Sequence, residues 1–391
     1  EQMEWMEKTG ILISQEADFE TVWSWLQQSV FGGFLTEMQD IMQNPEFHGE
    51  GNVYTHTRMV CQALYGNEEF RLFSVREQTE LLLAALLHDV GKIRTTTLED
   101  GRWVSPYHSA TGSRMARTFL WQSCGLSGSA EAVKIRETIC GLVRYHMLPA
   151  HMIDQEDAVL RIRQIAALGE TAGDFTWQKL CVLADADMKG RIAADVPECR
   201  EKVALCRILA EEAGCLHGSF PYSDSHTKHA YLSGRNVMPD QSLYDDTWGE
   251  VILMSGLPGT GKDTWISQQV PELPMISLDG IRKELHVSPA GDQGSVIREA
   301  RERAKVLLRR KEPFVWNATN LSRDIRQKQI RLFEQYGASV RIVYLETEEA
   351  ARRMRNAARA DAVPEAAVEK MLRKTELPLP EEAHTVEWLS V

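Results

Sequence analysis

A chain of 391 residues is long enough for two or three domains, each with its own core. Hydrophobic residues make up 43% and charged residues 26%, ordinary for a globular protein, and no apolar run approaches the roughly 18 residues that span a bilayer, which excludes an integral membrane protein built on helices. The net charge of -12 argues against a protein that coats nucleic acid by bulk electrostatics.

Taken in order, Glu1 to Gly10 carries acidic residues where a signal peptide needs a basic stretch and then an apolar one, so a cytoplasmic location is expected. The seven cysteines (61, 124, 140, 181, 199, 206 and 215) are odd in number and lack any CxxC pair, which suits reduced thiols rather than a disulfide framework. From Glu16 to Cys215 apolar residues recur at three and four, as in Val159, Ile162, Ile165 and Ala166, and the pattern predicts an all-α domain. His217 to Glu250 breaks that period with Gly218, Pro221, Gly234, Pro239 and Gly249, the composition of a linker or docking segment.

The rhythm then changes. Short apolar strands at Val251–Met254, Met275–Leu278, Phe314–Trp316 and Val340–Leu345 alternate with helices near Thr264–Gln269, Ser295–Arg310, Arg323–Tyr336 and Glu348–Arg359, which predicts a parallel α/β sheet. The expected fold is therefore multidomain: an all-α domain over 1–216, a linker over 217–247 and an α/β domain over 248–391. Residues 1–247 hold 22 basic against 35 acidic residues, a net -13, while 248–391 hold 22 against 21, a net +1. The two halves differ electrically as well as in pattern.

In the helical half, His56 stands 32 residues before the adjacent pair His88-Asp89, which ends an apolar helix and leads into Gly91-Lys92. An imidazole and a carboxylate at the end of a buried helix are costly unless something binds them, and a divalent Mn²⁺, Fe²⁺, Co²⁺, Ni²⁺ or Zn²⁺ ion suits that donor set. A further carboxylate is expected from Leu183-Ala-Asp185-Ala-Asp187, where spacing does not separate Asp185 from Asp187.

In the second half, Gly256-Leu-Pro-Gly259-Thr260-Gly261-Lys262-Asp263-Thr264 follows a strand and opens a helix. That is the context of a P-loop: backbone N–H groups and the helix N-terminus surround a β-phosphate, and Lys262 reaches the γ-phosphate. Asp263 replaces the hydroxyl residue expected after the lysine, so Mg²⁺ would be held by the Asp263 carboxylate, by Thr264 or through water. Asp279 could take a proton from an acceptor alcohol, and Arg282, three residues on, could grip an acceptor phosphate. Met354-Arg355-Asn356-Ala-Ala-Arg359 reads as a lid helix whose arginines close over the triphosphate, whereas Arg352 and Arg353 read as solvated. Asn317 to Asn320 would line the acceptor site.

The GxxGxGK loop, the DxxR and the RNxxxR lid together resemble the polynucleotide 5′-hydroxyl kinase family. That resemblance implies Asp279 as general base for a 5′-OH, Arg282 on the acceptor phosphate, and Arg355 and Arg359 on the nucleotide phosphates. The order His56, His88-Asp89, Asp resembles the HD phosphohydrolase superfamily, and EGxVxxHT, HDVGK and ADxxGR are similar to the HD domain of bacterial CCA-adding enzymes. Alignment on ADxxGR selects Asp187, with Asp185 as runner-up. His108 and His146 match histidines that recur in HD domains and would ligate a second metal or protonate a leaving group. Lys92 and Arg191 would hold phosphate.

The fusion as a whole resembles the bacterial HD-Pnk enzymes. It implies a bifunctional RNA end-healing protein: the HD site removes 2′,3′-cyclic or 2′(3′) phosphates with a divalent metal, and the kinase phosphorylates 5′-OH ends with ATP or GTP and Mg²⁺. The implied partners are polynucleotide ends, RNA rather than DNA, and an RNA ligase that would use the healed ends. Two other functions stay open. A nucleotidase joined to a small-molecule kinase would also phosphorylate mononucleosides. A nucleotide-gated regulatory protein with a degenerate site, which Asp263 would favour, would turn over no ATP.

Overall fold

The computed structural model describes residues 17–288 and 291–391, so Glu1 to Gly10, on which the expectation of no export rests, lies outside the described residues. No helix among the described residues is long and apolar enough to cross a membrane. Two units are distinguished, one running to Leu126 and resuming over Glu131–Phe220, the other made of Ser127–Ala130 and Pro221–Val391.

The first unit is helical: α1 (Phe19–Gln28), α2 (Gly32–Met38), α3 (Val53–Tyr65), α4 (Glu68–Leu72), α5 (Val75–Leu87), α6 (Lys92–Thr95), α7 (His108–Gln122), α8 (Ala130–Tyr145), α9 (Ala158–Ala166), α10 (Gly169–Ala172), α11 (Trp177–Lys189) and α12 (Val196–Glu212). Helices α3, α5 and α11 each start on a side-chain cap. Asn52 accepts the Thr55 N–H, Ser74 and Glu77 form a reciprocal capping box, and Thr176 accepts the Lys179 N–H. Every residue of α5 from Leu81 to Leu87 is buried, so this helix runs through the middle of the bundle, packed on α3 and α11.

One stretch departs from the expected helical run. Strands β1 (Thr97–Glu99) and β2 (Arg102–Val104) form an antiparallel hairpin that turns on Asp100 and Gly101, both at positive φ. An Asp-Gly turn of that hand matches strand twist, and the eight residues involved are too few to disturb a helical period read over the whole half.

The second unit holds α13 (Ser225–Leu232), β3 (Glu250–Ser255), α14 (Lys262–Gln269), β4 (Met275–Ser277), α15 (Leu278–Glu284), α16 (Gln293–Arg310), β5 (Val315–Asn317), α17 (Arg323–Gln335), β6 (Ser339–Glu346), α18 (Glu349–Ala357), α19 (Glu365–Arg373) and β7 (Thr385–Ser390). Its five strands are parallel throughout, in the order β4-β5-β3-β6-β7. Alternation along the strands splits the core between two faces. Val251, Leu253, Phe314, Trp316 and Ile342 meet α16 and α17, while Ile252, Met254, Val315 and Val343 meet Ile266 of α14.

Three elements of this unit escape the hydrophobic pattern. Helices α15 and α19 are short, and β7 is an edge strand that gains its place by pairing with β6, Tyr344 opposite Trp388. The segment before β7 is tied down by Arg326, whose guanidinium donates to both oxygens of Glu382 at 2.8 Å, both side chains fully buried. Within the segment expected as linker, α13 forms on an Asp224 cap and buries Thr227, Ala230 and Leu232.

Candidate functional site

Three helices far apart in sequence bring the HD residues together. His56 from α3, His88 and Asp89 from the end of α5, and Asp187 from α11 are all buried and share one centre. His56 Nε2 lies 3.0 Å from Asp187 Oδ1, 3.2 Å from His88 Nε2 and 3.6 Å from Asp89 Oδ2. His88 Nε2 lies 3.3 Å from Asp89. His108 and His146 approach the other oxygen of Asp89, their Nε2 atoms at 3.3 and 3.9 Å. Asp185, level with Asp187 by spacing, pairs instead with Arg200 and Lys189, both at 2.7 Å.

The backbone sets the tautomers. His56 Nδ1 donates to the Gly190 carbonyl at 3.1 Å, His88 Nδ1 to Ala85 at 2.7 Å, His108 Nδ1 to Ser105 at 2.9 Å and His146 Nδ1 to Val143 at 2.8 Å. Each ring therefore presents Nε2 to the centre, the arrangement in which second partners hold histidine for a metal. Tyr107, at a φ of 55°, turns the chain so that His108 opens α7 at the cavity.

The electrostatics fit a cation. Burial opposes protonation of His56, yet its bonds to Asp187 and Glu50 hold its pKa up at about 9. Burial likewise opposes ionisation of Asp89 and Asp187, but Lys92 and His88 keep Asp89, and His56 keeps Asp187, well below the usual carboxylate range. Two ring nitrogens 3.2 Å apart beside two carboxylates need a proton or a cation between them, and a divalent ion meets that need with this donor set. Burial drives His146 down to about 3 and lowers His108, which suits neutral ligands better than proton donors.

Two surrounding residues support the centre without having been singled out by the sequence. Glu50 accepts from His48 at 2.8 Å and from His56 Nδ1 at 3.0 Å, and its other oxygen accepts the Ile192 N–H. Gln43 Oε1 accepts from Lys92 Nζ at 2.7 Å, while the same ammonium pairs with Asp89 at 2.7 Å. The EGxVxxHT stretch contained Glu50; nothing local marked Gln43. A cavity of about 640 Å³ opens on this centre, with Lys92 and Arg191 among its lining residues.

In the second unit the phosphate loop leaves β3, the central strand, at its C-terminal end. Gly256, Gly259 and Gly261 have φ of 144°, 85° and 91°, and a Cβ on Gly259 would lie 2.5 Å from the Arg352 carbonyl oxygen. Lys262 Nζ donates to the carbonyls of Gly256 and Leu257 at 2.9 and 3.0 Å, and burial lowers its pKa to about 8. Thr260 is buried, its hydroxyl on the Leu257 carbonyl, and Thr264 is exposed on α14. Asp263 accepts from Asn317 Nδ2 at 2.6 Å.

Asp279 sits on the first turn of α15, two residues past the end of β4. Arg282 pairs with it one turn on, and Arg359 NH2 reaches it at 3.3 Å. Arg355 lies over Gly261. Two expectations change, those for Arg352 and Asn320, and Asn356 gains a role. Arg352 is buried and ion-paired with Glu349 and Glu365, so it braces the phosphate loop rather than facing solvent. Asn356, within the RNxxxR stretch, exchanges hydrogen bonds with the Val363 backbone and so fixes the turn after the lid helix. Asn320 is buried and donates to the Met254 carbonyl at 2.7 Å, a role in the core rather than in an acceptor site.

Outside both sites, His226 and His229 of the connecting segment crowd against His384, with ring centroids 5.6 and 4.2 Å away. His229 Nε2 meets Glu334 at 2.5 Å, and both His226 nitrogens are buried without a hydrogen-bond partner.

Folds and centres of this kind define two classes of phosphate-handling domain, and family models agree. The HD domain model matches residues 53–166 and the AAA domain model matches residues 251–378. The chain therefore carries an HD phosphohydrolase domain followed by a P-loop kinase-like domain, the first a divalent-metal fold and the second one that uses NTP with Mg²⁺. Asp187 lies beyond the matched HD stretch, and only its position on α11 brings it to the centre. No curated protein matches the chain.

Proposed function

We propose that this chain heals broken polynucleotide ends, RNA ends above all, with an HD domain over 1–216 clearing terminal 2′,3′-cyclic or 2′(3′) phosphates and a kinase over 248–391 phosphorylating 5′-OH ends. The observation that carries this is the pairing of a phosphate-removing centre with a phosphate-adding one in a single chain. Acting on one position of one small molecule the two would cancel. On the two termini of a break they are complementary.

At the HD centre, His56, His88, Asp89 and Asp187 would hold the first divalent ion, with His108 and His146 available for a second. Such an ion supplies Lewis-acid polarisation of the phosphoryl group and lowers the pKa of an attacking water. Lys92, pinned by Gln43 and Asp89, and Arg191 at the cavity wall bind the phosphate oxygens.

At the kinase, the N–H groups of the loop and Lys262 hold the β- and γ-phosphates, and an incoming triphosphate takes Lys262 off the two carbonyls it now bonds. Asp279 accepts the proton of the 5′-OH. Arg355 and Arg359 offset the charge that spreads over the phosphoryl oxygens in transfer, and Arg282 passes from Asp279 to the acceptor phosphate. Asp263, oriented by Asn317, offers a hard oxygen to Mg²⁺, with Thr264 beside it.

The test is an RNA oligonucleotide with a 5′-OH and a 2′,3′-cyclic phosphate, incubated with labelled ATP or GTP and Mg²⁺, Mn²⁺, Co²⁺ or Ni²⁺. Label at the 5′ end with metal-dependent loss of the terminal phosphate is expected. Turnover of mononucleotides alone would move the protein to nucleotide metabolism, and no turnover of any acceptor would leave a regulatory role.

A further inference from the structure

The cavity at the HD centre is larger than its phosphate chemistry needs. Its volume of about 640 Å³ falls in the range of pockets that hold whole small molecules. The buried cluster, Lys92 and Arg191 account for a phosphate. The remainder of the wall is mixed: Trp103, Phe47, Pro106 and Met147 supply apolar surface among polar residues such as Asn44 and Ser105.

Trp103 comes from the β1–β2 hairpin, an element with little hold on the core. All three residues of β1 are exposed, and β2 is at best half-buried. Leu98 stands directly across from Trp103, so the two share one face of the hairpin, and Leu98 is 58% exposed. Phe47, another lining residue, is 42% exposed. An indole held half-open on a surface hairpin, lining the same cavity as Lys92 and Arg191, has the geometry of a stacking wall.

We infer that Trp103 stacks on the nucleobase of the terminal nucleotide, so that the HD site recognises a nucleoside and not only a phosphate. The inference rests on the proposed phosphate-removing role of that site. The occupant is a base because it must lie next to the phosphate, be flat and apolar enough to cover an indole, and fit the space left beside Lys92 and Arg191. Phe47 and Pro106 would confine it, and Leu98 would extend the surface outward.

The experiment uses the full chain with its preferred metal and two oligonucleotides with a terminal 3′-phosphate, one with a normal terminal base and one abasic at that position. Wild type is expected to show a KM about tenfold lower for the base-bearing end, and Trp103→Ala to raise that KM to the abasic level, with kcat moving far less. Trp103→Phe should recover part of the difference. A retained phosphatase kcat reports correct folding of the unit that carries Trp103, and kinase activity of the same preparations does so for the other unit. Equal KM values for the two ends in wild type, or a Trp103→Ala KM that matches wild type on the base-bearing end, would overturn the stacking role while leaving the phosphatase intact. Failure of wild type to release phosphate from either end, and from the same oligonucleotides ending in a 2′-phosphate or a 2′,3′-cyclic phosphate, would instead overturn the end-healing function of the HD site, and the base subsite with it.

Discussion

The two sites are built in opposite ways. The phosphate loop is a local object: nine consecutive residues from Gly256 to Thr264 turn on three glycines at positive φ, the backbone form of a P-loop. The HD centre is a long-range object, with side chains from α3, α5, α7 and α11 and from His146 beyond α8 converging in the interior, and with four histidine rings oriented by four different backbone carbonyls. A backbone cradle tolerates departures such as Asp263, because few of its contacts depend on side chains. A side-chain centre does not, since each buried donor leaves its neighbours unsatisfied when removed.

This contrast is sharpest under mutation. Removing a ligand at the HD centre is expected to have the largest effect: His88→Ala or Asp187→Ala should lower phosphate release by at least about a thousandfold and leave 5′-phosphorylation intact, while Asp279→Ala should do the reverse by about 10²–10⁴-fold. Assays of both activities on each variant check this, and loss of both from either change in a folded protein would break the picture of two independent sites. Asp185→Ala, by contrast, should retain most phosphatase activity, because its partners are Arg200 and Lys189.

Glu50→Gln tests whether the orientation of His56 matters as much as the ligand itself. Weakening that support is expected to cost about 10–100-fold in metal affinity, read by competition with a chelator. In the cradle, Gly259→Ala would push a methyl to 2.5 Å from the Arg352 carbonyl and strain a φ of 85°, so nucleotide affinity should fall while a matched change at solvent-facing Gly234 has little effect on it. A binding titration with a labelled NTP distinguishes the two.

The smallest effect concerns stability. Burial holds the folded pKa of His384 down near 3, and its Nδ1 accepts the Val340 N–H at 3.2 Å. An unfolded histidine titrates near 6.5, so below that pH the unfolded chain takes up a proton that the folded one refuses. Stability present at pH 7 is lost on acidification toward pH 3, by about 2 kcal/mol at pH 5. Thermal melts of wild type and His384→Leu between pH 7 and 5 should show a shallower fall in the variant, and parallel curves would contradict this.

Much of the fold was legible because it rests on periodicity. A run from Leu81 to Leu87 that is apolar on every face has to be a central helix, and strands of the Val251–Met254 kind separated by amphipathic helices have to form a covered parallel sheet. The hairpin at 97–104, helix α13 and strand β7 were not legible, since each is short and held by turn geometry, a cap or a neighbour instead of an apolar stripe. The same division runs through the sites. The P-loop and the His88-Asp89 pair announce themselves as contiguous motifs, whereas the burial of Arg352, the bond of Gln43 to Lys92 and the indole of Trp103 beside the cavity depend on residues far away in the chain.

The sequence by itself determined the kinds of chemistry present, because glycines at a strand-to-helix turn and histidine beside aspartate at a buried helix end have few other physical uses. The tertiary structure decided which residues act together. It placed Asp187 at the centre and Asp185 away from it, since residues two apart on α11 point to roughly opposite faces of the helix, one carboxylate toward His56 and the other toward Arg200. It also made Arg352 a brace and Asn320 a core residue, since the packing around a side chain, and not its identity, sets whether its charge or amide faces a ligand or the protein's own backbone.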